Sequence, residues 1–230
     1  CCDAAIERVV THYGALDGVV TAGWRGHFGP IEETAEQDVR DLFESNLFGP
    51  LRLIQRVVPH FRERGRGRIV CVSSAAGRLA MPMTGAYSAS LHALEGLCDA
   101  LRLELAVFGV DVVLIEPGLV RSSVVGETRK QGTLLDLFGV QGDSPYAHLA
   151  RVLADHVIEL RQRAATPNDV AQVVFRALQT PRPKPRYAVS RGTAALLWAR
   201  KLLPDRFLDA RLTRAIGLRE AQNDPSSDGA

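Results

Sequence analysis

Short and almost wholly apolar runs alternate along this sequence with stretches of helical periodicity, and this alternation limits the folds open to it. The runs LDGVVTAG, RIVCVSS and VDVVLIEPG are typical of strands buried on both faces, and RYAVS is predicted as a fourth. Helical patterns separate them, notably over 34–62 and 86–108. Strands joined by long helices form a parallel sheet with right-handed crossovers. The sequence therefore predicts an α/β fold with helices on both faces of a parallel sheet.

The overall composition indicates no particular affinity for several classes of partner. The net charge of +2 gives no strong attraction to nucleic acid or acidic membranes, and no apolar run approaches the roughly 18 residues of a membrane span. The four cysteines show no metal-ligand spacing, and the six histidines form no HExxH motif. We therefore expect no nucleic-acid partner, no membrane span and no metal site. Reduced cysteines in apolar segments favour the cytoplasm.

The chain reads as a single domain over residues 1–219, followed by a tail at 220–230. A capping-type start at Thr34 opens one predicted helix, and Thr166 with Pro167 at the first helical position opens another. A late amphipathic stretch could touch a membrane or close a lipophilic cleft, but packing against the domain is the favoured interpretation. Its apolar residues are Leu196, Leu197, Trp198, Leu202 and Leu203.

Polar and glycine residues follow three of the predicted strands at the points where the strands end. Ser73-Ser74, Pro117-Gly118 and Ala22-Gly23 hold these positions, and Tyr87 lies in the opening turn of the helix after the serines. Working residues in open α/β sheets gather at the carboxyl ends of the strands. Asn46 lies inside a long helix, where asparagine is a mediocre helix former and needs a reason. These residues form the candidate site.

In order and spacing these elements resemble the classical short-chain dehydrogenase/reductase family, over most of the chain. The matching elements are TAG at 21–23, Asn46, IVCVSSAAG at 69–77, Tyr87 thirteen residues after Ser74, and PGLVRS at 117–122. The resemblance implies a Rossmann-like, doubly wound parallel sheet and hydride transfer between NAD or NADP and an alcohol or ketone. The end region, with RPKPRYAVS, resembles the branch of the family that acts on lipophilic substrates.

The resemblance also assigns roles to single residues. It makes Tyr87 the general acid or base, Ser74 the hydrogen-bonding partner of the substrate oxygen, and Asn46 the support of a water relay. It implies a homodimer or homotetramer formed through the helices at 34–62 and 86–108. The residues that it places beside the cofactor are Ala22, Gly23, Pro117, Gly118, Val120 and Ser122.

One departure from the family pattern falls in the candidate site itself. The family has a lysine four residues after the tyrosine, where it binds the cofactor ribose and lowers the pKa of the tyrosine, and here that position is Leu91. A free tyrosine titrates near about 10, and leucine supplies no charge that would lower this value. None of the three lysines lies in this helix, and a stand-in by Lys130 from a loop is the less favoured alternative. We expect Tyr87 to be a poor base and the activity to be impaired.

Two further departures concern the cofactor. The family's paired asparagines before Ala22-Gly23 are Val20 and Thr21 here, and no segment matches its glycine-rich turn for the pyrophosphate. We therefore expect the chain to be an N-terminally truncated form that lacks the first βαβα segment, which leaves its cofactor binding open. Two hypotheses follow: an impaired oxidoreductase known through an incomplete sequence, or a non-catalytic relative that serves ligand binding or subunit association.

Overall fold

The computed structural model describes residues 2–121, 138–140 and 143–216. Four strands form one parallel sheet in the order β1-β2-β3-β4, which confirms the predicted strands and the Rossmann-like class. The sheet pairs Val20 with Val70, Val70 with Val113, and Ile115 with Tyr187. The strands are β1 (Gly18–Thr21), β2 (Gly67–Val72), β3 (Val110–Glu116) and β4 (Arg186–Ala188).

Helices cover both faces of this sheet. They are α1 (Cys2–Tyr13), α2 (Glu36–Phe43), α3 (Gly49–Arg64), α4 (Gly85–Ala106), α5 (Ala147–Arg161), α6 (Pro167–Gln179), α7 (Arg191–Leu202) and α8 (Asp205–Ala215). Successive residues of a strand point to opposite faces. On one face Ile69 and Cys71 pack with α1, α3 and α4, and on the other Val70 and Val72 pack with α6. Burial on both faces explains why these strands are almost continuously apolar.

The helix predicted over 34–62 is not a single α-helix. It begins two residues later, at Glu36, and α2 and α3 are separated by a π-helical segment at Glu44–Phe48. The Thr34 hydroxyl does not cap the helix, because it donates to the Pro30 carbonyl at 2.7 Å. A π segment preserves the apolar stripe while it inserts a residue, so periodicity alone did not reveal it.

The predicted cap of α6 is confirmed. Thr166 accepts a hydrogen bond from the Asp169 amide at 3.1 Å, and the Asp169 carboxylate accepts one from the Thr166 amide at 2.7 Å. Pro167 occupies the first helical turn. At the other end of α6, the Arg68 guanidinium donates to the carbonyls of Ala177, Leu178 and Thr180, which otherwise have no helical partner. Arg68 thus ties α6 to β2.

The interpretation of the late amphipathic stretch was wrong for two of its residues. Leu197 is buried, as packing requires, but 62% of Trp198 and 70% of Leu202 are exposed. The two exposed residues are four apart on the outer side of α7, one turn from each other. Among all the described residues, including this stretch, no helix is both long and apolar enough to cross a membrane.

Candidate active site

The ends of β2 and β3 are fixed against each other by backbone hydrogen bonds. The Ser73 amide donates to the Ile115 carbonyl at 2.8 Å, and the Ala75 amide donates to the Pro117 carbonyl at 2.7 Å. The Ser74 hydroxyl is half-buried between them, where it accepts from the Ala76 amide at 3.2 Å. Ser74 is therefore held at the carboxyl edge of the sheet, as the sequence predicts.

Tyr87 lies in the first turn of α4, above the same edge. The turn before it has an unusual backbone: Met83 has φ of 63°, a left-handed conformation that is uncommon for a non-glycine residue. The Met83 carbonyl accepts a hydrogen bond from the Gly29 amide at 2.8 Å, which joins this turn to the loop after β1. The start of α4 and the loop at 22–30 therefore form one unit around Tyr87.

Tyr87 is enclosed by aromatic side chains. Only 5% of it is exposed, and its ring centroid lies 5.8 Å from that of Trp24 and 5.8 Å from that of Phe28. Burial disfavours the phenolate and raises the pKa of Tyr87 to about 12, although a hydrogen bond with the Ser74 hydroxyl acts in the opposite direction. The two predicted catalytic residues are therefore neighbours, while the Ser74 hydroxyl itself donates to the Pro117 carbonyl at 3.4 Å. Tyr87 is thus a neutral hydrogen-bond donor at physiological pH.

Leu91 lies one turn after Tyr87 and belongs to the hydrophobic core. It is 1% exposed and packs in the cluster that includes Leu42, Ile54 and Leu94. The turn at Ala75–Gly77 closes over it, because a Cβ added to Gly77 would lie 3.2 Å from the Leu91 carbonyl oxygen. In the part of the chain that the structure describes, no cation contributes to the pKa of Tyr87. Lys130 lies outside the described residues.

Asn46 is buried in the π segment, and its amide clamps the loop after β1. Its Oδ1 accepts from the Arg25 amide at 2.8 Å, and its Nδ2 donates to the Arg25 carbonyl at 3.0 Å and to the Ser90 hydroxyl at 3.0 Å. Ser90 in turn donates to the Tyr87 carbonyl at 2.8 Å. These hydrogen bonds explain why an asparagine lies inside a helix at position 46. The water relay stays a prediction.

Sequence reasoning missed the residues on both sides of this clamp. Trp24 and Phe28 flank Arg25 and reach Tyr87, and Ser90 links Asn46 to the tyrosine turn. The Arg25 side chain also pairs with Asp41 at 2.8 Å. These contacts join segments that are far apart in sequence, so no local pattern predicts them. The aromatic residues Trp24 and Phe28, one and five positions after Gly23, were the one available signal.

The residues predicted to lie beside the cofactor are only partly gathered. Ala22 and Gly23 are exposed at the end of β1, and a Cβ added to Gly23 would meet nothing within 4 Å, so a ligand can approach its backbone. Gly118 instead packs against α7, where a Cβ would lie 2.5 Å from the Thr193 hydroxyl. Val120 forms a bridge with Ala165, and Ser122 lies outside the described residues.

This arrangement fits one end of a dinucleotide cofactor. Open space beside Gly23 and the nearby hydroxyls of Ser74 and Tyr87 suit the reactive ring. Across residues 2–121, 138–140 and 143–216, however, no glycine-rich turn leads from a strand directly into a helix, as pyrophosphate binding requires. No cation lies beside Tyr87 for the ribose within the same ranges.

A network of buried charges lies behind the site and was also missed. Arg186 of β4 contacts Glu95 at 3.0 Å and Asp99 at 2.8 Å on α4, and Glu116 of β3 at 3.2 Å. Arg78 adds a second contact to Glu116 at 3.4 Å. Burial raises the pKa of both Glu95 and Glu116, and the neighbouring arginines oppose this rise. The network joins α4, β3 and β4 below the Pro117-Gly118 turn.

Known proteins match this chain along most of its length. The family model described as "short chain dehydrogenase" matches residues 1–133. The NADPH-dependent 3-dehydrocapnine reductase of Ornithobacterium rhinotracheale is 31% identical over 213 residues, which cover 90% of this chain and 73% of that protein. Human 17-beta-hydroxysteroid dehydrogenase type 1 is 32% identical over 194 residues, which cover 84% and 58% respectively.

A solved structure supports the same assignment. A short-chain dehydrogenase from Streptomyces avermitilis has a TM-score of 0.70 and 30% identity, over 96% of this chain and 76% of that one. The parallel sheet, the placement of Ser74 and Tyr87 beside its carboxyl edge and these similarities agree. The chain belongs to the short-chain dehydrogenase family.

Proposed function

We propose that the chain is an NAD- or NADP-dependent oxidoreductase for a lipophilic alcohol or ketone, with activity lowered by Leu91. One observation carries this proposal: the Tyr87 and Ser74 side chains are neighbours at the carboxyl edge of the sheet, beside an aromatic wall formed by Trp24 and Phe28. Two hydroxyl donors at one point can hold a substrate oxygen and supply its proton. NAD or NADP, when bound, supplies or accepts the hydride.

The aromatic wall supports a lipophilic substrate. Trp24 and Phe28 border Tyr87. The ring centroid of Phe28 lies 6.2 Å from that of Phe138, which packs in an apolar cluster with Met83 and Val140. Binding sites for small apolar molecules are lined mainly by such side chains, with few polar groups. The names of two relatives, a hydroxysteroid dehydrogenase and a 3-dehydrocapnine reductase, agree with an alcohol or ketone as the reacting group.

The protonation state of Tyr87 limits what it can do. A neutral phenol whose pKa is raised to about 12 can donate a hydrogen bond to a carbonyl oxygen. It is a poor base for removing the proton of an alcohol near neutral pH, because the phenolate is scarcely populated. The site therefore suits carbonyl reduction better than alcohol oxidation.

The position of Leu91 supports the lowered activity, and it also favours the second candidate function. By the family motif this position belongs to a lysine, and its replacement removes the charge that would lower the pKa of Tyr87. A non-catalytic relative would need no such charge, and a fully buried leucine in a packed core is a stable end state for it. In this alternative the chain binds a ligand or a second subunit without turnover.

We also propose a homodimer or homotetramer that uses α2, α3 and α4, and a cytoplasmic location. Exposed apolar residues on or next to these helices support the association: Phe48, in the segment between α2 and α3, is 44% exposed, Leu103 of α4 72%, and Val107, directly after α4, 81%. Contiguous exposed apolar surface is typical of interaction sites. The buried free thiols of Cys71 and Cys98 support a reducing compartment.

Calorimetric titration with NADH and NADPH, followed by turnover assays on steroid-like ketones, tests the proposed function. We expect weak binding and slow ketone reduction that falls by about 10² or more in Tyr87→Phe, because the proton donor is lost. The variant Tyr13→Phe, an exposed tyrosine in α1, is the matched control and should keep the parent rate. Cofactor binding with equal rates for the parent and Tyr87→Phe would exclude Tyr87 as the proton donor.

A further inference from the structure

The last two helices form an exposed hairpin that the proposed function does not use. This C-terminal hairpin, residues 191–216, consists of α7, α8 and the turn at 203–204, and the two helices contact each other. Thr193 and Leu197 of α7 and Leu208 of α8 are buried, so each helix has an inner side that anchors it. The opposite sides face outward.

The outward sides carry large apolar residues on either side of the turn. Trp198 is 62% exposed and Leu202 70%, and Phe207, in the first turn of α8, is 46% exposed. Leu202 and Phe207 bracket the turn, and Trp198 lies one helical turn before Leu202. Three large apolar side chains exposed so close together in sequence are unusual for a surface that contacts only water.

Positive charges surround these residues. Six basic residues lie in the hairpin against two acidic ones, Asp205 and Asp209, and Asp205 is already paired with Arg200 at 2.5 Å. Two of the cations stack on the exposed rings: Lys201 lies 5.7 Å from the Trp198 ring and Arg211 lies 5.1 Å from the Phe207 ring. The basic residues are Arg191, Arg200, Lys201, Arg206, Arg211 and Arg214.

This combination differs from the exposed apolar surface on α4. There Leu103 and Val107 have one base and one acid beside them in sequence, Arg102 and Glu104, and a cation, Arg62, lies 6.0 Å from the neighbouring Phe108 ring. The hairpin joins tryptophan, phenylalanine and leucine to an excess of cations. Helices that lie in the headgroup region of anionic membranes have this composition, because cations meet the phosphates while the apolar side chains enter the acyl boundary.

We propose that the C-terminal hairpin docks on the surface of an anionic lipid bilayer, with Trp198, Leu202 and Phe207 inserted and the surrounding cations on the lipid phosphates. Docking requires neither a cofactor nor turnover, so it stands independently of the proposed function. Where that function also holds, docking brings the site to the phase in which a lipophilic substrate dissolves.

Vesicle binding by the full chain tests this proposal. The chain has two tryptophans, so Trp24→Phe leaves Trp198 as the only tryptophan reporter of insertion. We expect its emission to shift to shorter wavelength with vesicles that contain phosphatidylglycerol, and the chain to sediment with them. Vesicles of phosphatidylcholine alone should bind at least about tenfold more weakly, and high salt should reduce binding to the anionic vesicles.

Two variants separate the apolar and charged contributions. Leu202→Ser should weaken sedimentation about tenfold, since a leucine side chain no longer leaves water. Arg206→Glu with Arg211→Glu should weaken it by more than about tenfold, because each cation near an anionic surface contributes about 1 kcal/mol. Leu160→Ser is the matched control: an exposed leucine of α5, outside both the hairpin and the proposed association surface, whose loss should leave binding unchanged.

Three results would overturn the proposal. The first is no binding to anionic vesicles by a chain whose circular dichroism shows that it is folded. The second is an equal loss of binding in Leu160→Ser and Leu202→Ser. The third is a concentration-dependent dimer that Leu202→Ser dissociates, which would make a second copy of the chain the occupant of this surface.

Discussion

One row of side chains on α4 contains buried polar groups with two different kinds of surroundings. Tyr87, Leu91, Glu95 and Asp99 are each four residues apart, so they follow one another along the helix. In the first half, Tyr87 is buried beside a leucine, and burial raises its pKa to about 12. In the second half, Glu95 and Asp99 are paired with Arg186. Burial without a countercharge leaves Tyr87 neutral, whereas a shared arginine supports the two carboxylates.

This difference shows that the ion pairs of α4 serve the stability of the fold and do not act on Tyr87. The charged half joins α4, β3 and β4 through the contacts of Arg186. Its two partners on α4, Glu95 and Asp99, precede it by 91 and 87 positions in the sequence. The half that carries the chemistry is shaped by packing and by neutral hydrogen bonds through Asn46 and Ser90. We therefore expect changes in the charged half to alter stability, and changes in the other half to alter the chemistry of Tyr87.

The largest expected effect comes from breaking the charged half. Arg186→Met should lower the free energy of unfolding by about 3 to 5 kcal/mol, because it leaves buried Glu95 without a partner. Urea denaturation measures this change. Arg200→Met is the matched control: its partner Asp205 is exposed, so the loss should stay below about 1 kcal/mol. Similar losses in both variants would show that the buried network is not what stabilises this half.

The next effect comes from loosening the neutral half. Asn46→Ala removes the two hydrogen bonds to Arg25 and the one to Ser90, and should lower the free energy of unfolding by about 1 to 3 kcal/mol. Hydrogen exchange should increase at residues 24–29, since the clamp on their loop is lost. Asn46→Asp keeps the acceptor for the Arg25 amide but places a buried carboxylate oxygen against the Arg25 carbonyl, so it should lose at least as much stability. Unchanged exchange in Asn46→Ala would mean that the hydrogen bonds of Asn46 do not hold Trp24 and Phe28 in place.

A third change would place a cation beside Tyr87, as Arg186 lies beside Glu95 and Asp99. Leu91→Lys places a cation one turn from Tyr87 and should raise ketone turnover about tenfold or more, because catalysis improves as the pKa of the acid approaches neutral pH. Leu91→Met conserves volume without charge, should destabilise by less than about 1.5 kcal/mol and should leave turnover at the parent rate. Equal or lower turnover in a folded Leu91→Lys protein would contradict the role assigned to this position.

The smallest effect is a pH dependence of stability. Burial raises the pKa of Glu95 above 4.5, so the folded state holds this proton more tightly than the unfolded state. Its contribution to stability is therefore greatest below about pH 4.5 and falls as the pH rises, by at most about 1.4 kcal/mol per pH unit. The stability advantage of the parent over Glu95→Gln should shrink accordingly in denaturation series. A growing advantage would mean that Arg186 outweighs burial.

The sequence predicted those parts of the fold and site that depend on local patterns. The strands followed from apolar runs, the α6 cap from Thr166 and Pro167, and the placement of Ser74 and Tyr87 near one edge of the sheet from where the strand ends and the next helix begins. The π segment at Glu44–Phe48 escaped because an inserted residue leaves the periodicity almost unchanged. The Arg186 network and the aromatic wall escaped because each joins residues that only the folded chain brings together.

The central claim is that Tyr87 is buried without a charge that would lower its pKa, and tyrosinate absorbance during an alkaline titration tests it most directly. The chain has four tyrosines, so the difference between the parent and Tyr87→Phe isolates the ionisation of this one. The two proteins should titrate identically through the ordinary tyrosine range near about 10, and differ only at higher pH, toward 12 or on unfolding. An extra ionisation in the parent below about 10 would contradict the account, because it would require a cation beside Tyr87.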